Sequence, residues 1–117
     1  MDKKVVRKSN INVEVGLNAE NMPVSMYWKA QDSAGQTPQP AKAMMLALFD
    51  KDSLETLKID LWTADFQVNE MDRFMFETLR SLSDTYFRAT QNRDMANALQ
   101  QFAQYFGEQT QILKKEG

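Results

Sequence analysis

The chain has 117 residues, 43% of them hydrophobic and 26% charged, and a formal net charge of -2. That length supports one hydrophobic core and is short for two independent domains. Neither cysteine nor histidine occurs, which excludes disulfides, thiolate nucleophiles, cysteine-ligated zinc and imidazole acid–base chemistry.

Lys3, Lys4, Arg7 and Lys8 give residues 1–8 the character of a flexible basic arm. No apolar run of signal-peptide length follows it, so the expected location is the cytoplasm. The remainder is mildly acidic. Phosphate binding needs a concentrated positive face, so nucleic acid is not an expected partner. Nor is any stretch apolar for long enough to predict an integral membrane segment.

Alternation of Ile11, Val13, Val15 and Leu17 with polar or small residues predicts a strand over residues 9–17. Residues 18–23 read as a turn. In the strand that follows, Val24, Met26 and Trp28 face one way and Ser25, Tyr27 and Lys29 the other. Residues 31–40, with Gly35, Pro38 and Pro40, form an exposed polar loop inside a single domain spanning the chain. The run AMMLALF at Ala43–Phe49 reads as a central strand, although Ala, Met and Leu also favour helix. A polar turn at residues 50–53 leads to its partner. There Leu57, Ile59 and Leu61 share one face, and Thr56, Lys58, Asp60 and Trp62 the other.

After Trp62 the period changes. Met71, Met75, Leu79, Leu82 and Tyr86 recur every three or four residues and predict a helix over residues 68–89, with Arg73, Glu77, Arg80, Asp84 and Arg88 on its wet side. Thr90 and Asn92 separate it from a second helix with the stripe Met95, Leu99, Phe102, Ala103 and Phe106. Gly107 either loosens the last turns of that helix or ends it. The fold class is therefore α+β: an antiparallel four-stranded sheet made of two hairpins, backed by a two-helix C-terminal hairpin, in the order ββββαα. Phe102 is expected at the centre of the packing.

Some large rings are left over. Phe76 and Phe87 lie about 100 degrees or more from the centre of the apolar stripe of their helix. They either cover an edge of the sheet or take part in an external contact. Trp62 faces away from Leu57, Ile59 and Leu61, and Tyr27, Met45 or Phe49 can join it in a mixed surface with Lys58 and Asp60. Tyr27, Lys58, Asp60, Trp62, Phe76 and Phe87 are the candidate partner contacts, for a protein partner or a second copy in a homodimer.

Carboxylates offer less. Asp50, Asp52 and Glu55 lack the ordered spacing of a calcium loop, and Asp60 and Asp65 flank Trp62 without defining a cleft. The glycines form no phosphate-binding loop. Accordingly no catalytic residue, cofactor or metal is assigned. A small-molecule binding protein or carboxylate-dependent enzyme is the alternative to a non-enzymatic interaction protein.

INVEVGLNAENMPVSMYW at residues 11–28, LKIDLWTADFQVNEM at residues 57–71, LSDTYFRAT at residues 82–90 and MANALQQFAQYF at residues 95–106 together resemble the gliding motility-associated protein GldC family. The resemblance runs over roughly residues 9–106, and the 31–40 connector is more proline-rich than the family pattern. It implies a cytoplasmic accessory factor of gliding motility, or of related envelope machinery, in Bacteroidetes-type bacteria. It carries over no catalytic residue.

Overall fold

The computed structural model describes residues 2–31 and 37–114. Its strands arise where the sequence alternates. β1 (Ile11–Leu17) pairs antiparallel with β2 (Pro23–Ala30), with Val13 opposite Trp28 and Glu14 opposite Tyr27. The connecting turn is held by Asn18, whose Oδ1 accepts from the N–H groups of Glu20 (2.9 Å) and Met22 (3.0 Å), the backbone-mimicking use of a short amide. Register shifts between Gly16 and Leu17. Gly16 stands so close to the Ser25 hydroxyl that a Cβ would collide with it.

β4 (Ala43–Phe49) and β5 (Thr56–Trp62) form the second antiparallel hairpin, in regular register from Ala43 opposite Trp62 to Phe49 opposite Thr56. Asp50 builds its turn. Its Oδ2 accepts from Ser53 N–H (2.8 Å) and Asp52 N–H (3.1 Å), and Leu54 takes a left-handed conformation at φ 61°.

The sequence-predicted class, antiparallel hairpins followed by two helices, is the observed one. The hydrogen-bonded arrangement adds a detail. A two-residue strand β3 (Gln39–Pro40) pairs with Trp28 and Tyr27, giving a three-stranded sheet β1-β2-β3 beside the two-stranded β4-β5. Ala64 N–H joins the two by donating to Pro23 O (2.9 Å), while Ala41 N–H to Met26 O (2.9 Å) extends the β2–β3 pairing and Thr63 N–H to Lys42 O (2.8 Å) the β4–β5 pairing. Of the predicted 31–40 loop, residues 32–36 lie outside the described residues, while Gln31 and the residues from Thr37 to Pro40 are exposed. Met1 of the predicted basic arm also lies outside them. The rest of that arm is exposed and forms no regular element.

α1 (Val68–Thr90) begins where Glu70 Oε1 accepts from Gln67 N–H (3.0 Å), a side chain reaching back to an amide the helix cannot satisfy. It ends at Gln91, which is left-handed at φ 61° and donates its N–H to Phe87 O. Asn92 Oδ1 then accepts from Met95 N–H (3.2 Å) and caps α2 (Arg93–Gln109). Asn92 thus separates the helices as predicted, together with Gln91, while Thr90 is the last residue of α1.

Small residues set the approach of α1 to α2. Ser83 donates its hydroxyl to Ala96 O at 2.7 Å, and Ala96, Ala103 and Gly107 are buried. The ring of Phe76, 4% exposed, lies where Gly107 has no Cβ. Gly107 is therefore inside α2 as a packing residue, neither loosening nor ending it. Phe102 is 51% exposed and not central. The large stripe that suggested it lies beside the small-residue face on which the helices meet.

The chain divides into two compact units, Met1–Phe66 and Gln67–Gly117. The strands lie in the first and both helices in the second.

Candidate interaction surface

Cross-strand partners share a face, so the β4–β5 register sorts its side chains. One face carries Met44 with Leu61, Leu46 with Ile59, and Leu48 with Leu57. The other carries Ala43 with Trp62, Met45 with Asp60, Ala47 with Lys58, and Phe49 with Thr56. This is the predicted division.

Trp62 stands at the end of β5 opposite Ala43, half exposed. A methyl group is its cross-strand neighbour, so the indole has no large ring to stack on there. Lys58 Nζ lies 3.0 Å from Asp60 Oδ1 on the same face. Both side chains are well exposed, so the pair contributes at most about 1 kcal/mol to stability. Tyr27, also exposed, lies in the other sheet between Glu14 and Pro40. Met45 and Phe49 share the Trp62 face, with Phe49 at the far end of the hairpin.

The two helical candidates part company. Phe76 is buried among the helices, with the Arg80 guanidinium 5.5 Å from its ring centre. This corrects its candidacy for an external contact: the space left by Gly107 admits a ring that the main apolar stripe does not include. Phe87 is partly exposed. The Arg93 guanidinium lies 5.1 Å from its ring, within cation–π range. Phe87 also lines an open cleft of about 260 Å³ with Ser83, Asp84, Arg93, Ala96, Asn97 and Gln100.

Carboxylates are committed locally. Asp65 Oδ1 accepts from the buried Thr63 hydroxyl at 2.6 Å, and this bond, with Lys42 nearby, holds its carboxyl below the ordinary value. A general acid needs the opposite shift. Asp50 is likewise lowered, chiefly by the Ser53 backbone N–H. Among the described residues no three Asp, Glu, His or Cys side chains gather as a metal-binding group. Among the described residues no helix is long and apolar enough to cross a membrane.

The ladder opposite Trp62 is not among the candidate contacts that the sequence suggests. Leu46 (38%), Leu48 (54%), Leu57 (59%) and Ile59 (50%) are exposed, and Leu61 is half-buried. With Trp62 and Phe49 exposed on the reverse, this hairpin presents apolar groups on both faces.

Residues 23–112, more than three quarters of the chain, match a family model described as gliding motility-associated protein GldC-like. No curated protein and no solved structure matches the chain.

Proposed function

We propose, from the premise that this chain belongs to the gliding motility-associated protein GldC-like family, that it works as a non-enzymatic interaction protein. On this reading it is a cytoplasmic accessory factor of gliding motility or of related cell-envelope machinery, and the β4–β5 hairpin is where a protein partner docks. One observation carries the reading: Trp62, half exposed opposite Ala43, stands on the same strand face as the Lys58–Asp60 ion pair. A large ring able to desolvate, flanked by charges that fix orientation, is the usual anatomy of an interface anchor. Tyr27 and Phe87 are secondary candidates.

The enzymatic alternative has less support. Its carboxylates, Asp60 and Asp65, are taken up by Lys58 and Thr63, and Asp65 is shifted away from proton donation at neutral pH.

The test is parallel capture from the source cells with the wild-type chain and a Trp62→Ala variant shown to be folded. An anchor of this kind is worth 2 kcal/mol or more, so any partner retained by the wild type should be lost by at least about tenfold. Equal recovery by both chains would overturn the assignment of Trp62.

A further inference from the structure

We infer that the outer edge of β5 pairs with the same edge of a second copy of this chain, about a two-fold axis at Ile59. β5 is hydrogen-bonded to β4 on one side, and no strand among the described residues pairs with its other side between Thr56 and Trp62; just past that stretch Ala64 N–H bonds Pro23 O. Along β5 every residue but the half-buried Leu61 is exposed. An open edge of this length is a template for another strand.

The ladder parity fixes which groups that edge offers. Asp50 N–H donates to Glu55 O (2.8 Å) at one end of the hairpin, and Thr63 N–H donates to Lys42 O (2.8 Å) at the other. Antiparallel pairs alternate between bonded and non-bonded, and the register between these ends is unbroken. Leu57, Ile59 and Leu61 therefore turn their backbone groups toward β4. Thr56, Lys58, Asp60 and Trp62 turn theirs outward.

Only outward groups can bond a new strand. With Ile59 opposite Ile59 of the second copy, the bonded pairs are Lys58 with Asp60 and Thr56 with Trp62, each occurring twice by symmetry. Sliding one bonded step either way sets Lys58 against Lys58, or Asp60 against Asp60, with Cα atoms about 5.5 Å apart, and like charges directly opposite are destabilising. Charge complementarity thus favours this register over both of its neighbours. In that register Leu57 meets Leu61 of the second copy, and the apolar ladder continues across the axis. A lysine on an edge strand commonly guards against pairing; here Asp60, two residues on, supplies its counter-charge in the self-pairing register. The opposite charges on either side of Ile59 favour a second copy over an unrelated strand.

This inference goes beyond the partner-docking reading, because it concerns contact between copies. It is measured by mass and cross-linking, so either can fail without the other. The cysteine-free chain allows a direct test in the full-length protein. Ile59→Cys places two thiols at a non-bonded pair with Cα atoms about 4.5 Å apart, inside disulfide range. Oxidation should give a covalent dimer. Leu57→Cys and Leu61→Cys should not cross-link alone but should do so when mixed. By light scattering, Lys58→Asp should weaken the dimer at least about tenfold, and Lys58→Asp with Asp60→Lys should restore it. A monomeric wild type at all concentrations, cross-linking of Leu57→Cys with itself, or a dimer indifferent to Lys58→Asp would overturn the inference. Ile59→Cys, at an exposed position, keeps the test decisive should a charge variant fail to fold.

Discussion

The ring of Phe76 fills the space beside Gly107. A Cβ built on Gly107 would stand 2.6 Å from Phe76 Cε1 and 2.8 Å from Leu113 Cδ1. Leu113 is brought there by the bond from its N–H to Gly107 O (2.9 Å). Glycine inside a helix costs about 1 kcal/mol relative to alanine, and that cost is offset here by the burial of a phenylalanine.

Gly107→Ala should therefore destabilise the chain despite its better helix propensity. Overpacking costs about 1–3 kcal/mol, leaving a net loss of about 1 kcal/mol by chemical denaturation. Combining it with Phe76→Leu should cost less than the sum of the two single changes, since both act on one contact. Strict additivity would show that the ring and the glycine are not coupled.

Phe76→Ala and Phe102→Ala should separate clearly. Phe76 is 4% exposed and Phe102 51%. The first truncation should cost about 3–5 kcal/mol as a buried aromatic. The second should cost about 1–2 kcal/mol, in keeping with half its area remaining in water. Equal losses in denaturant melts would place Phe102 in the core after all.

Periodicity made most of the fold legible before the structure. Both hairpins, the face assignments in β5 and the helix break at Thr90–Asn92 follow from spacing and capping chemistry. β3 did not, because two paired residues within a proline-rich connector have no period. Period two shows which of Leu57, Ile59 and Leu61 share a face, but not whether anything covers that face. Phe76 was misread because the stripe from Met71 to Tyr86 was taken as the packing face. The missed signal was on the other helix: Ala96, Ala103 and Gly107, spaced seven and four apart, mark a line of small residues on which a neighbouring helix can come close.

The turn at Asp50 should titrate visibly. Its carboxyl is held below the ordinary 3.8, first by the Ser53 backbone N–H, then by the Ser53 side chain and the Asp52 N–H. A depressed folded-state pKa stabilises the turn above the unfolded value, and that stabilisation is lost as pH falls through the folded one. The Asp52 and Ser53 amide signals should thus shift together with a midpoint below 3.8. In Asp50→Asn that titration should vanish. A midpoint at or above 3.8 would mean the carboxylate does not hold the turn.

Whether the β4–β5 hairpin meets a protein partner is best read by placing a photoreactive amino acid at position 62 in the source cells, beside the same substitution at Tyr105. Tyr105 is similarly exposed, at 58%, but lies on a helix. Illumination should yield a discrete adduct at position 62, differing in mass from a covalent dimer of the chain, and none at position 105. Adducts of equal yield at both positions, or none at position 62, would contradict the account.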